Sequence, residues 1–172
     1  MTRIAYTAIP DWPPLVWLAR CRPEHDSVDV FHGARVEIAA EWFAEAVWAG
    51  RYSEAGFDRT DLVFGSGGRL RDGTLTFVSP GTTVDRLQYL RDADATWVSN
   101  SLPCLLAAAA ASPDPIWPGY FALFESIIRG IRRYARTLPT SAGTARLVYF
   151  DNLIWDGREL REVEKPFPKR DF

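Results

Sequence analysis

The sequence predicts an α+β domain. Between residues 62 and 100 lie four short β-rich segments separated by turn residues. On both sides of that run, apolar residues recur at helical spacing. With 172 residues, 47% hydrophobic and 24% charged, the composition is that of one globular unit able to bury a core. Residues 1–165 are read as a single domain and 166–172 (PFPKRDF) as an extended tail or the start of a linker.

Arg3 to Ile9 is expected to form a first strand, ended by PDWPP. Leu15 to Ala19 is a short apolar run, and Val28 to Phe31 leads on through Gly33. In IAAEWFAEAVWAG, Ile38, Trp42, Ala46 and Ala49 share one helical face, with Phe43 and Val47 widening it. Gly50 stands where a helix-ending glycine belongs, so this segment is expected to be a helix. The β region comprises 62–64, 74–79, 85–90 and 96–100, read as a meander of antiparallel hairpins. Its turns would be Asp72-Gly73, Ser79-Pro80-Gly81 and Asp92-Ala93-Asp94. Asn100 or Ser101 is expected to cap a helix with Pro103 in its first turn, running to Ser112. A second amphipathic helix is expected from Tyr120 to Arg136, burying Phe121, Phe124, Ile127, Ile128 and Ile131. The segments ARLVYFDN and ELREVEK, around Trp155-Asp156-Gly157, read as a closing hairpin.

Composition also excludes some functions. The formal charge is −2, which recommends neither nucleic acid nor an acidic membrane as a partner. Cys21 and Cys104 form no C-x-x-C pair and no disulfide framework, so both are read as reduced packing residues of a cytoplasmic protein. The N-terminus has no apolar run before Pro10, and the apolar run Leu102 to Ala111 is about half a membrane span.

The cluster GSGG, Gly65 to Gly68, has the look of a phosphate loop. A Walker A loop, G-x-x-x-x-G-K-[ST], needs a lysine directly after its second glycine, and no lysine precedes Lys165. A dinucleotide fingerprint needs a glycine at position 70, which is Leu. The S-G-G-x-D-S loop of ATP pyrophosphatases needs Asp and Ser where Leu70 and Arg71 stand. The expectation is a bulge or tight bend in a strand.

From Thr60 to Ala111 the order RDGTLTFVS, DRLQYLRD and WVSNSLPCLLAAA resembles the second half of a known domain. That domain is the amino-terminal glutaminase-like (class II glutamine amidotransferase) domain of asparagine synthetases and their relatives. Leu87-Gln88-Tyr89 and Trp97-Val98-Ser99-Asn100-Ser101 stand where the family has its paired strands entering a Leu/Ala-rich helix. The resemblance implies an αββα sandwich of the N-terminal-nucleophile (Ntn) type, with antiparallel sheets inside and helices outside. It further implies a partner: an ATP-pyrophosphatase/synthetase domain, in cis or in trans.

Departures from the family bear on chemistry. The family's nucleophile is a Cys directly after Met1, whose free amine acts as base; here that residue is Thr2. The Arg-Gly-Pro-Asp and Asn-Gly-Glu glutamine-binding signatures are absent. The expectation is therefore a catalytically degenerate amidotransferase-like domain with a structural role beside an amide-forming domain. It needs no cofactor and no metal. The alternatives are an N-terminal-threonine amidohydrolase with Thr2 as nucleophile, or a free-standing protein-binding module. His25 and His32, with Asp11, Glu24, Asp26 and Asp29 nearby, are weak zinc candidates. Arg129, Arg132, Arg133 and Arg136 read as a solvated basic stripe. Trp117 and Tyr120 are the candidate interaction residues, on a face that could also pair two copies. The native product is expected to continue past Phe172 or to meet a separate synthetase subunit.

The first prediction is that purified protein with a verified N-terminus releases no glutamate from glutamine above a heat-killed control. Turnover that disappears in Thr2→Ala would make the threonine hydrolase the correct reading.

Overall fold

In the computed structural model, residues 2–114, 116–117, 119–130 and 133–165 are described. Ile131, Arg132 and the 166–172 tail, for which the sequence raised expectations, lie outside them. Strands hold 41% of the chain and helices 14%. The protein is mainly β.

Three strands open the chain: β1 (Arg3–Ala8), β2 (Trp17–Cys21) and β3 (Ser27–His32). Then come β4 (Glu37–Ala39), β5 (Trp42–Ala44) and β6 (Val47–Trp48), with 3-10 turns at Tyr52–Glu54 and Phe57–Arg59. The middle of the chain holds β7 (Val63–Phe64), β8 (Gly67–Arg71), β9 (Thr74–Val78), β10 (Leu87–Arg91) and β11 (Thr96–Ser99). Helix α1 (Leu102–Ala108) and helix α2 (Tyr120–Phe124), extended by a 3-10 turn to Arg129, precede the last four strands. These are β12 (Thr137–Thr140), β13 (Gly143–Val148), β14 (Asn152–Trp155) and β15 (Leu160–Val163).

A seven-stranded sheet has the order β1-β3-β2-β11-β10-β13-β12, and a six-stranded sheet the order β15-β14-β9-β8-β5-β4. Every pairing is antiparallel except β1 with β3. A small ribbon pairs β6 with β7. The main core lies between the two large sheets. Trp17, Ala19 and Cys21 face Phe43, Leu75, Phe77, Leu153 and Trp155 across it, all essentially inaccessible to water. Period-2 alternation explains why: in β2 the odd residues point inward, while Leu18 joins the opposite face and Arg20 pairs with Asp29 at 2.7 Å.

The outer faces are covered differently. On the seven-stranded sheet, Leu18, Leu90, Leu138 and Leu147 pack under Leu105 of α1 and Leu123 of α2. On the six-stranded sheet, Ala44 and Val78 pack under Ala55, Phe57 and Val63, which belong to the 3-10 turns, the ribbon and their links. Among the described residues only the short 3-10 turns, and no α-helix, lie there. This corrects the expected αββα sandwich with helices outside.

The correction traces to one segment. Residues 38–50, expected as a helix, form β4, β5 and β6. The apolar residues of that stripe divide between two environments. Phe43 is wholly buried between the sheets, whereas Ile38 and Val47 are 47% and 68% exposed. Trp42 leaves the stripe for an aromatic cluster with Trp48, Tyr52 and Phe57. Aromatic side chains suit a pleated surface, and here tertiary packing outweighs helical periodicity. Gly50 has φ +113° within a turn and ends no helix.

The hairpin chemistry was legible, its pairing less so. Asp72 and Gly73 both have left-handed φ, 49° and 78°, as a two-residue hairpin turn requires. The strand opposite β9 is β8, however, not 62–64. The Ser79-Pro80-Gly81 segment carries the chain from the six-stranded sheet to the seven-stranded one and closes no hairpin. Helix α1 starts as expected, with Ser101 as cap and Pro103 in the first turn. It stops at Ala108, sooner than its alanines imply. Ala110 takes the left-handed conformation, φ 48°, and Ala111 N–H returns to Leu106 O at 2.8 Å. The second helix is likewise short, ending at Gly130 with φ +98°. The closing hairpin is β14 with β15, while ARLV belongs to β13 in the other sheet. None of the helices in the described residues is long and apolar enough to cross a membrane.

Gly67 and Gly68 lie inside β8, and the reason is close approach. A Cβ on Gly67 would sit 2.2 Å from Phe43 O, and one on Gly68 would sit 2.4 Å from the Phe43 ring. That ring is wedged by Trp17 and Phe77, at centroid distances of 5.0 and 6.4 Å, and cannot retreat. Neither Gly67 nor Gly68 needs a positive φ; Gly65 does, at +92°. We expect Gly67→Ala and Gly68→Ala each to cost about 1–3 kcal/mol in urea unfolding, as overpacked sites do. Calorimetric titration with ATP or pyrophosphate is expected to be flat. Saturable binding lost in Gly67→Ala would instead make the cluster a ligand loop.

Candidate functional site

Between β5 and β6 the ladder to β8 and β7 breaks at Glu45-Ala46 opposite Gly65-Ser66. Glu45 N–H still donates to Ser66 O at 2.9 Å. In return Ser66 N–H finds the Glu45 carboxylate, at 2.8 Å. Ser66 Oγ–H donates to the same oxygen, Oε1, at 2.6 Å, and Asn100 Nδ2 reaches it at 3.3 Å. Gly65 is required here because a Cβ would lie 2.1 Å from Glu45 O.

The network continues inward. Trp17 Nε1 donates to Ser66 Oγ at 3.0 Å. Asn100 Oδ1 accepts from Trp17 N–H at 2.9 Å, while Asn100 Nδ2 also donates to Leu15 O at 3.0 Å. Ser99 Oγ donates to Trp17 O at 2.6 Å. Asn100 thus serves the site and leaves helix capping to Ser101. All the bonds to Glu45 fall on Oε1; none falls on Oε2 among the described residues.

Outward, Glu45 lines two adjoining hollows of about 450 and 350 Å³ that share Leu15, Arg35, Glu45 and Asp85. They form one open groove. Leu15, Val47 and Phe64 rim it, at 51%, 68% and 60% exposure. Burial raises the Glu45 pKa above the ordinary carboxylate value, and the negative charge of Asp85 adds to it; the bonds from Ser66 and Asn100 oppose the shift. The groove therefore holds a pre-oriented, partly desolvated carboxylate with one open oxygen.

The residues proposed from sequence lie elsewhere. Thr2 precedes edge strand β1, its Oγ1 3.8 Å from where a side chain on Gly157 would begin. Trp117 and Tyr120 form an edge-on ring pair at 4.8 Å and pack against the outer core, with Tyr120 Oη–H donating to Pro139 O at 2.9 Å. In the same segment, Ile116, Phe121 and Ile128 are 87%, 73% and 82% exposed. Phe121 and Ile128 were expected on the buried face. His25 is exposed before β3, and His32 is buried at its far end, Nδ1 2.9 Å from Gly33 O. Asp29 is held by Arg20 and Arg22, at 2.7 and 3.0 Å. Asp11, Glu24 and Asp26 are exposed. Among the described residues, no group of three or more His, Cys, Asp or Glu is placed to hold a metal. Arg129 and Arg133 are exposed, and Arg136 turns towards Glu162 at 3.6 Å. Cys21 is wholly buried, which pushes its thiol pKa up, and Cys104 is half-buried. Lys165 Nζ donates to Ser79 O at 2.6 Å, and burial lowers its pKa to about 8.

Sequence reading missed Glu45 because it lies inside a segment expected to be a helix, on the same helical face as Ile38, Trp42 and Ala49, where nothing marked it as a site residue. The one available signal was GSGG, whose serine is the carboxylate's partner. Comparison with family models, with curated proteins and with solved structures found no match.

Glu45→Ala removes the acceptor of the Ser66 N–H and hydroxyl, and we expect a loss of about 1–3 kcal/mol. The melting temperature should fall by several degrees, at about 2–4 °C per kcal/mol for this chain length. Glu45→Gln keeps Oε1 and should stay within about 1 kcal/mol of the parent. The pH profile reports on the carboxylate itself. A folded pKa raised above the unfolded value gives stability that is present below the unfolded value and lost as pH rises through the folded one. That component should vanish in Glu45→Gln.

Proposed function

We propose that the chain is a binding module that docks onto a partner protein through the Glu45 groove. The supporting observation is the rim: Leu15, Val47 and Phe64 stand more than half exposed around a carboxylate already fixed by Ser66 and Asn100. Exposed single apolar side chains are ordinary, but several lining one groove mark a contact surface. Burying a side chain such as Phe64 contributes about 1.5–3 kcal/mol, so three together could sustain an association. The polar network also holds the groove's shape in advance, which lowers the entropy cost of docking.

The resemblance of residues 60–111 nominates the partner: an asparagine-synthetase-like, ATP-dependent amide-forming domain, in the same chain or a separate one. On this reading the module carries no chemistry of its own and supports the partner's. The other exposed apolar stretch, Ile116 to Ile128, borders Ile131 and Arg132, which lie outside the described residues. The groove is the better-defined surface.

Calorimetry against such a synthetase domain is expected to show saturable binding, weakened at least tenfold by Phe64→Asp. Because Phe64 is exposed, that variant should keep the parent's melting temperature. Absence of binding, or an unaffected variant, would overturn the proposal.

A further inference from the structure

We infer that the groove receives an extended segment of the partner carrying an arginine flanked by apolar residues, with the guanidinium meeting Glu45. The inference rests on the docking reading above and names the chemistry of its contact. The groove's charge selects it: Glu37, Glu45 and Asp85 line it against the single guanidinium of Arg35. Among the described residues, none of Arg35, Glu37 and Asp85 forms an ion pair. Three carboxylates against one cation leave a net negative surface.

Position then favours arginine over lysine. Glu45 is half-buried and next to apolar walls of Pro13, Pro14 and Leu15. A guanidinium is more weakly hydrated than an ammonium and loses less on entering such a site. Its fork of donors can reach the open Oε2 of Glu45 while also serving Asp85. The apolar flanks would lie on Leu15, Val47 and Phe64. An extended backbone advances about 3.3 Å per residue, so a flanking residue on each side covers the rim.

Desolvation and a like charge hold the Glu45 proton on, and a cation would reverse both effects. Binding should therefore strengthen as pH rises through the Glu45 titration. Glu37, Asp85 and Arg35 are the other charged groups lining the same groove. The component belonging to Glu45 is isolated by Glu45→Gln, which retains the Ser66 and Asn100 contacts.

The probe is the blocked peptide acetyl-Ala-Leu-Arg-Phe-Ala-amide, titrated by calorimetry or by fluorescence anisotropy of a labelled copy. Saturable binding is expected. It should be at least tenfold weaker with citrulline in place of arginine and at least tenfold weaker to Glu45→Gln, with a flatter pH profile in that variant. Lysine in place of arginine should bind more weakly than arginine and better than citrulline. No binding, equal binding of the citrulline peptide, or full binding by Glu45→Gln would overturn the inference. A synthetase domain that binds but is not displaced by the arginine peptide would overturn it too, leaving the docking reading in place. Peptide binding with no synthetase binding would instead remove that partner and leave the arginine site.

Discussion

A tryptophan wholly enclosed between two sheets has one N–H that water cannot reach, and leaving it unpaired would cost about 1–3 kcal/mol. Trp17 is that residue here, and much of the molecule is arranged around satisfying it. Its indole donates to Ser66, its N–H to Asn100, and its carbonyl accepts from Ser99. These contacts join β2 in one sheet to the β7–β8 link in the other and to the start of α1. The ring stacks on Phe77, 5.9 Å away with planes 8° apart, and meets Phe43 edge-on. Apolar burial supplies most of the driving force; the hydrogen bonds determine how the sheets are registered.

That register has a consequence at the surface. Ser66 can accept from the indole only if its own hydroxyl proton has somewhere to go, and Glu45 provides the acceptor. Placing a carboxylate there interrupts the ladder, splits off the β6–β7 ribbon and requires glycine at position 65. The ribbon then carries Val47 and Phe64 out to the groove's edge. The groove is thus a by-product of solving the core's polar requirement, and one of its three carboxylates is the residue that serves the core. A second tie works similarly at the other end of β5. Tyr6 Oη–H contacts Ala39 O at 2.8 Å and Trp42 O at 2.9 Å, holding edge strand β1 to the β4–β5 turn.

The fold's legibility followed the range of the interactions concerned. Asp72-Gly73 revealed its hairpin because a two-residue turn is a local steric matter. Ser101 and Pro103 revealed the start of α1 for the same reason. Strands β1, β9, β10 and β11 were visible as β-rich runs. The segment 38–50 was misread because its apolar spacing fits a helix, while its residues serve two different clusters on opposite faces of a sheet. A one-dimensional pattern cannot distinguish one buried stripe from two burial environments. The alanines of α1 promised a helix to Ser112, four residues beyond its end at Ala108, yet the chain turns at Ala110, where a tertiary path overrides the best of helix propensities.

By itself, the sequence determined that this chain forms turns and strands through its middle and starts a helix at Leu102. Each depends on residues within a few positions of one another, where sterics and local hydrogen bonding act directly. Only the tertiary structure decided which strands share a sheet, why Gly67 and Gly68 must lack side chains, and where Glu45 stands. Those outcomes depend on Phe43, 24 residues from Gly67, on Trp17, 49 residues from Ser66, and on Asn100, 55 residues from Glu45, each far along the chain but in contact in space. The need of one buried indole for an acceptor is invisible until the two sheets close over it.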